Sequence, residues 1–303
     1  MTRDPVRKDI RTAAGFGEPA RVGRLKKARR AVANFAAKNR GLAASPGFWR
    51  ILPRLLLGRI LPTPLKRGGP ILFVATHHKV MTTYFHAVLR LLAFGLRIGF
   101  DKVNIEAPAK GTRLFLSMQG KIDLAALGRY RGVHLMRDPR DMIVSSYHYH
   151  KWTHEAWAHR PDKNGLSYQQ KLNKADKRKG LFMEIEHFVF VYRQALEGWN
   201  MADPDMLEVS YEALMGPQKC EIYARIFTHL GFSGRGLALA TDLMTLFEAE
   251  SRSGARTGAA GAKSHIGSHI RSGRSGQWQD ELEPDHIAYI EQELGPVLRK
   301  FGY

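Results

Sequence analysis

Apolar residues recur along this chain with two different periods, and each period predicts a different kind of element. In residues 22–40 the apolar positions, among them Val32 and Phe35, fall on one face of a helix, with lysines and arginines on the other. This pattern predicts an amphipathic helix that stops at Gly41. Residues 48–62 repeat the arrangement and predict a second basic helix.

A short uncharged run at 71–75 begins a different pattern, in which runs of strand length alternate with helical stretches. An apolar run without polar alternation is typical of a parallel strand buried on both faces. Further strands are predicted at 97–105, 113–118, 133–137 and 206–211. Two long helices are predicted at 181–200 and 284–301. Alternating strands and helices predict an α/β fold with a central parallel sheet flanked by helices.

Two polar segments interrupt this alternation. Residues 160–180 are rich in lysine and are predicted to form a mobile surface loop or lid. Residues 251–276 are rich in Gly, Ser, Arg and Lys, and we expect them to be flexible without a ligand.

The positive charge is concentrated at the start of the chain. The 303 residues carry a formal net charge of +19, and the first 70 hold 17 of the 47 Lys and Arg residues but only three of the 28 acidic ones. Nucleic-acid binding, which so basic a chain first suggests, therefore applies at most to an N-terminal extension at 1–67, and it is not expected of the domain at 68–303. The basic helices of the extension either lie on an anionic membrane surface or pack on the domain.

The single cysteine, Cys220, excludes an intramolecular disulfide and leaves no Cys-based metal site. A reducing, cytoplasmic compartment is the default for such a chain, with peripheral attachment to a membrane left open. No apolar stretch is long enough to predict a membrane span, and the start of the sequence has no secretory signal pattern.

The loop at 76–83 is the first candidate for chemistry, because it joins a buried strand to a helix. Ligands of open α/β folds bind at this edge of the sheet, and the helix start offers free N–H groups to an anion. Lys79 adds a positive charge, and Thr82 and Thr83 add hydroxyl donors. The Walker A pattern is absent, so the loop is either a phosphate site of another kind or an ordinary polar connection.

Arg137 and Ser145 form the second candidate site. A predicted strand ends at Arg137, Asp138 is placed to cap the next helix, and Ser145 follows about two turns later. Arg137 then lies at the same sheet edge as Lys79 and can bind a phosphate with two parallel hydrogen bonds. The alternative is a surface arginine paired with a nearby aspartate.

Together these segments resemble the sulfotransferases that use 3'-phosphoadenosine 5'-phosphosulfate (PAPS), and the resemblance spans about residues 70–303. The resemblance implies a P-loop-NTPase-like three-layer sandwich. The loop 76–84 is similar to the family's 5'-phosphosulfate loop, Arg137 and Ser145 to its 3'-phosphate motif, and 209–214 to the strand whose Tyr contacts adenine. Residues 245–248 resemble a segment that stacks on the base, and 271–278 the late loop over the 3'-phosphate. The donor-binding residues implied are Lys79, Val80, Met81, Thr82, Thr83, Tyr84, Arg137, Ser145, Tyr211, Thr245, Phe247, Arg271, Ser272 and Gly273.

The sequence departs from the family pattern at three places. Met81 stands where the family's loop usually has Gly, and Ser272 replaces the usual Lys of the late loop. Residues 115–120 hold no histidine, whereas many members carry a catalytic His there.

The resemblance implies that Lys79 neutralises charge on the bridging oxygen of PAPS, with no metal required. The acceptor is an hydroxyl or amine of a small molecule, a carbohydrate or a lipid-linked glycan, and the sequence does not choose among them. The candidates for general base are Glu106 and Asp101, with His148 and His150 as a second option. Four aromatic residues at 147–157 either line the acceptor pocket or belong to the core.

Two alternatives to a sulfotransferase make different demands on the sequence. A P-loop kinase or nucleotide hydrolase needs a Walker A lysine and a magnesium-binding aspartate, and neither is evident. A basic module that binds membranes or nucleic acid would depend on the N-terminal extension alone.

Overall fold

The computed structural model describes residues 18–38, 46–63, 65–66, 68–104, 107–256 and 274–303. Five strands form one sheet: β1 Ile71–Ala75, β2 Phe100–Val103, β3 Leu114–Ser117, β4 Tyr130–Met136 and β5 Met206–Ser210. The first seven helices of the described residues are α1 Glu18–Lys38, α2 Pro46–Ile60, α3 Thr82–Leu96, α4 Leu124–Leu127, α5 Pro139–His150, α6 Tyr168–Lys174 and α7 Lys177–Glu197. They are followed by α8 Tyr211–Met215, α9 Lys219–His229, α10 Gly234–Arg256, α11 Trp278–Glu281 and α12 Pro284–Phe301. A 3₁₀ helix spans Ala156–His159.

The sheet is parallel throughout, with the strand order β2-β3-β1-β4-β5. The predicted α/β fold with a central parallel sheet flanked by helices is thereby confirmed. Strands β2 and β3 lie on one side of β1 in the sheet, and strands β4 and β5 lie on the other side. The loops that follow β1 and β4 therefore diverge at the switch point, which is where open parallel sheets bind ligands.

Strand β1 is buried on both faces, as its uncharged sequence predicts. Leu72 and Val74 belong to the large core cluster, whereas Phe73 and Ala75 belong to a smaller one on the opposite side. The period of two along a strand explains this division. The strand is thus packed on both faces, and the loop that follows it is anchored at a buried strand end.

The described part of the N-terminal segment packs on the rest of the chain. Val32 of α1 and Phe48, Ile51 and Leu55 of α2 are buried and belong to the same core cluster as the sheet. The Arg59 guanidinium donates a 2.7 Å hydrogen bond to the carbonyl of Phe94. Packing on the domain is therefore observed for these helices. The domain division at residue 67 stays a prediction, and so does a role of this segment at a membrane.

Among the described residues, no helix combines the length and the apolar character needed to cross a lipid bilayer.

The prediction of a structureless loop at 160–180 is wrong. Ser167 begins α6 with a capping box in which its hydroxyl accepts from the Gln170 N–H and the Gln170 side chain accepts from the Ser167 N–H. Asp176 then caps α7 by accepting from the N–H of Lys179. Local capping satisfies the polar residues that made this stretch look like a loop. Of the predicted flexible segment 251–276, residues 251–256 end α10, and 257–273 lie outside the described residues.

Candidate functional site

The loop between β1 and α3 is held in shape by hydrogen bonds within itself. The Thr82 hydroxyl donates to the carbonyl of His77 at 3.0 Å and lies 2.9 Å from the Thr76 hydroxyl. The Val80 N–H also donates to the His77 carbonyl, at 3.1 Å. The loop therefore curls over the start of α3 and leaves Lys79 at its outer turn.

Two loop residues adopt the left-handed backbone conformation that favours glycine. Lys79 has a φ of 66° and Met81 a φ of 56°. Met81 is also the N-cap of α3, and its side chain makes no capping hydrogen bond. The first N–H groups of the helix are thus without a side-chain cap at Met81, as an anion-binding helix start requires. The left-handed conformation lies at the position where the sequence departs from the family's glycine.

We expect Met81→Gly to be more stable than Met81→Ala by about 1 kcal/mol. Both variants lose the same side-chain contacts to the core, so the difference isolates the cost of a Cβ at positive φ. Denaturant unfolding of the two proteins measures it. Arg97 has the same φ of 56° at the C-terminal end of α3, so the pair Arg97→Gly and Arg97→Ala is a matched control. Equal stability of the two Met81 variants would contradict the left-handed loop.

The ammonium group of Lys79 is held between an aromatic ring and two charged side chains. Its Nζ lies 4.2 Å from the centroid of the Tyr149 ring. The pKa of Lys79 is lowered to about 8, chiefly by burial and in addition by the positive charge of Arg137, while the carboxylate of Glu155 opposes the shift. A desolvated ammonium that has a nearby like charge is poised to receive an anion.

Arg137 is buried at the end of β4, with 3% of its surface exposed. Its guanidinium lies 4.3 Å from the centroid of the Tyr211 ring and donates to the carbonyls of Lys79 at 3.4 Å and Arg274 at 3.0 Å. It also donates to Asp141 at 3.2 Å. Its buried Nε–H has no acceptor within the described part of the chain. The side chain thus has a donor left for a ligand at the switch point.

Asp141 connects the start of α5 to the end of the late loop. Its fully buried carboxylate accepts from the N–H groups of Gly276 at 2.8 Å and Trp278 at 3.0 Å, besides Arg137. The alternative in which Arg137 pairs with an aspartate is therefore realised too, but in the interior and not on the surface. The same carboxylate orients Arg137 and anchors the segment that follows residue 273.

Behind the loop, two buried histidines and a glutamate form a hydrogen-bonded row. His77 Nε2 lies 2.8 Å from His134 Nε2, and His134 Nδ1 lies 2.6 Å from Glu208. Burial, with His134 close by, lowers the pKa of His77 well below its usual range. If Glu208 accepts the Nδ1–H of His134, then Nε2 of His134 accepts from neutral His77. Gly120 approaches the His77 ring too closely for any Cβ.

The other predicted donor-site residues fall into three groups. Thr83 lies in the first turn of α3, and Ser145 is half-buried two turns into α5. The side chains of Val80, Tyr84 and Phe247 are buried in the core, where the Tyr84 hydroxyl donates to the carbonyl of Met244. Thr245 is exposed on α10, and Arg271, Ser272 and Gly273 lie outside the described residues.

Burial changes what three of these residues can offer. Val80 and Tyr84 can present only backbone atoms to a ligand in this structure. Phe247 packs edge-on against Tyr84, with ring centroids 6.4 Å apart, so it acts here as a core residue. Stacking of the segment 245–248 on a base stays a prediction.

The predicted bases differ in their surroundings. Glu106 lies outside the described residues. The Asp101 carboxylate accepts from the N–H groups of Lys102 and Ala109, so it closes a local turn. His148 pairs with Glu281 at 2.9 Å. Neither Asp101 nor His148 makes a contact with Lys79 that would mark it as the base.

Glu155 is the carboxylate that sequence reasoning missed. It accepts from the Tyr149 hydroxyl at 3.0 Å and from the Trp157 indole N–H at 2.6 Å. Its carboxylate is exposed and acts on the pKa of Lys79. The only signal in the sequence was the aromatic spacing at 147–157, and two of those aromatic residues hold Glu155 in place.

The comparisons with known proteins were made against families, curated proteins and solved structures. A family model described as "Sulfotransferase domain" matches residues 122–302. No curated protein matches the sequence. The solved structures that the chain resembles include mouse sulfotransferase SULT7A1 complexed with PAP, at 15% identity over 77% of this chain and 85% of that one, with a TM-score of 0.48.

Retinol dehydratase also resembles the chain, in two solved structures that are 18% identical to it. The complex with androsterone and inactive cofactor PAP is matched over 75% of this chain and 80% of that one, with a TM-score of 0.43. The complex with retinol and PAP is matched over 81% and 86%, with a TM-score of 0.43.

Proposed function

Because this chain belongs to the sulfotransferase domain family, we propose that it transfers a sulfuryl group from PAPS to an acceptor hydroxyl. The observation that carries the choice of donor is the pair Lys79 and Arg137. The two residues come from the loops after β1 and β4 and lie together at the switch point, where the Arg137 guanidinium donates to the backbone carbonyl of Lys79. A donor with phosphates at two positions matches two separate positive groups better than a single triphosphate does.

Different groups of the site bind the two phosphate positions of the donor. The start of α3, with Thr82 and Thr83, supplies N–H and hydroxyl donors for the 5'-phosphate. Arg137 supplies its free Nε–H and its charge for the 3'-phosphate, and the half-buried Ser145 lies on the helix that begins beside it. These residues fit the donor, because the structure leaves them a buried donor group and a helix start that Met81 does not cap.

PAPS supplies a sulfuryl group whose bond to the phosphate oxygen breaks as a bond from the acceptor oxygen to sulfur forms. Lys79 offsets the negative charge that builds on the leaving phosphate oxygen, which is the kind of electrostatic stabilisation that dominates such transfers. The pKa of Lys79 is lowered to about 8 in the free protein, and a bound anion raises it again, so donor binding favours the charged ammonium form.

On the acceptor side, we assign the general base to Glu155. The carboxylate is exposed, so an acceptor can reach it, and two aromatic donors fix its orientation. The proton of the acceptor hydroxyl passes to this carboxylate as the oxygen attacks. Trp152, 48% exposed and edge-on to Tyr149 at 4.9 Å, gives the same surface an open aromatic face. Such a face suits an aromatic or sugar ring.

Ligand-induced thermal stabilisation tests the donor. Adenosine 3',5'-bisphosphate is expected to raise the unfolding midpoint of the protein, and more than ATP with Mg²⁺ does, because a ligand of the folded state stabilises it by mass action. No shift with the bisphosphate, or a larger one with ATP and Mg²⁺, would overturn the proposal in favour of a kinase-like site or of a binding module.

Glu155→Gln is expected to lower turnover by about 10²- to 10⁴-fold with an aliphatic alcohol as acceptor. The loss should be much smaller with 4-nitrophenol at pH 8, because most of this acceptor is then already ionised and needs no base. The rate at which the bisphosphate product forms from PAPS measures turnover with both acceptors, and a reaction without added acceptor gives the background from hydrolysis. Glu221→Gln, at an exposed glutamate on α9, is the matched control. An equal loss with both acceptors would remove Glu155 from proton transfer.

A further inference from the structure

A cluster of two histidines and a glutamate lies beside the donor loop and has no role in the proposed transfer. His150 ends α5, and Glu184 and His187 lie on one face of α7. One ligand atom from each of the three residues lies within 4.8 Å of the other two. No local spacing rule predicts the cluster, because His150 and Glu184 are far apart along the chain.

The cluster holds a buried negative charge. Glu184 is 1% exposed and His150 3% exposed. The Glu184 carboxylate pairs with His150 Nδ1 at 2.9 Å and accepts from the Tyr168 hydroxyl at 2.9 Å. Within the described residues, no lysine or arginine lies at ion-pair distance from it. A buried carboxylate needs a compensating positive charge, and a bound metal ion supplies one.

The chemistry of the cluster favours a metal ion. Two imidazoles and one carboxylate are the ligand set of many zinc sites that keep an open coordination position. The centroid of the His187 ring lies 5.6 Å from that of the His150 ring, and each ring has a nitrogen within 4.8 Å of a Glu184 carboxylate oxygen. Groups of the second layer are also present: Tyr168 holds the carboxylate, and Trp157 stacks on the His187 ring at 4.8 Å and 7°.

We propose that His150, Glu184 and His187 bind one divalent transition-metal ion of the Zn²⁺ type. The ion would tie the end of α5 to the middle of α7. His150 follows Tyr149, whose ring lies under Lys79, and stacks on His78 at 5.0 Å. The metal is therefore expected to stiffen the support of the catalytic lysine and not to take part in the transfer.

Zinc titration of the full chain, freed of metal by a chelator that is then removed, tests this site. Calorimetry should show one Zn²⁺ bound per chain, and Zn²⁺ should raise the unfolding midpoint. His187→Ala and Glu184→Gln should each weaken binding at least about tenfold. His154→Ala, at an exposed histidine outside the cluster, should bind as the wild type does. Co²⁺ bound at the site should give the visible bands of a four- or five-coordinate ion.

Three results would overturn the site. Binding weaker than about 100 μM in the wild type would mean that the cluster is not a metal site. Equal affinity in wild type and both cluster variants would mean adventitious binding to surface histidines, and a visible spectrum of an octahedral ion would mean the same. His187→Ala guards against misfolding of the Glu184 variant, because His187 is only half-buried; circular dichroism checks both.

The outcome is separable from that of the proposed function. Adenosine 3',5'-bisphosphate binds at Lys79 and Arg137, so its thermal shift is measured on the same preparations. A bisphosphate shift without stoichiometric zinc would reject the metal site alone. Stoichiometric zinc without a bisphosphate shift would reject the donor alone.

Discussion

Lys79→Met is expected to lower turnover of PAPS by about 10²- to 10³-fold and to leave the folded protein no less stable. Turnover falls because no other described side chain can offset charge on the leaving oxygen from the same place. Stability holds because the ammonium of Lys79 is partly desolvated in the folded protein, which lowers its pKa from 10.5 to about 8. Steady-state rates and thermal unfolding of the same variant measure the two effects.

The pH dependence of stability gives an independent check on Lys79. Its folded pKa is depressed, so below pH 8 the folded state carries the full penalty of the buried charge. Between pH 8 and about 10 the unfolded chain still binds the proton, so the Lys79 contribution makes the wild type more stable as pH rises. The Met variant should lack this contribution. Lys102→Met, on the exposed side of β2, is the matched control and should keep both the rate and the slope. Wild-type turnover in Lys79→Met would exclude the residue from the mechanism.

Arg137→Ala is expected to abolish the bisphosphate-induced shift and to cost about 3 kcal/mol of stability. The stability loss arises because Asp141 stays buried without its cationic partner. The loss of stability stays near the lower end of the range that is usual for a broken buried ion pair, since Asp141 still accepts from the N–H groups of Gly276 and Trp278. Denaturant unfolding and thermal shifts measure the two quantities.

Arg137→Lys separates binding from folding. The lysine keeps a positive charge beside Asp141 but loses the planar fork, so stability should recover more than bisphosphate affinity does. Arg131→Ala, on the exposed start of the same strand, should change stability by less than about 0.5 kcal/mol. A full bisphosphate shift in Arg137→Ala would move the 3'-phosphate site elsewhere.

The sequence predicted those parts of the fold that local chemistry decides. The uncharged run at 71–75 is β1 to the residue, and 284–301 is α12, where Pro284 begins the helix and Gly302 ends it in a left-handed conformation. The strand predicted at 97–105 is shorter, at Phe100–Val103, because it pairs on one side only, with β3. The meeting of Lys79 and Arg137 followed from the rule for parallel sheet edges.

The parts that the sequence did not predict depend on contacts between distant segments. Glu155 gains its place from Tyr149 and Trp157, and no spacing rule singles it out. The row of His77, His134 and Glu208 joins three separate segments through side-chain contacts that no spacing rule predicts. The capping box at Ser167 was a local signal, but the polar composition around it concealed the helix.

The carbonyl of Arg274 has a consequence for how long the product stays bound. It accepts from the same guanidinium nitrogen of Arg137 that bonds to Asp141. The free Nε–H of Arg137 can bind a 3'-phosphate directly, but a second hydrogen bond from the guanidinium requires the phosphate to displace this backbone oxygen. Under the proposed function, the Arg274 carbonyl therefore competes with the donor and with the bisphosphate product for one nitrogen of Arg137, and this competition favours product release.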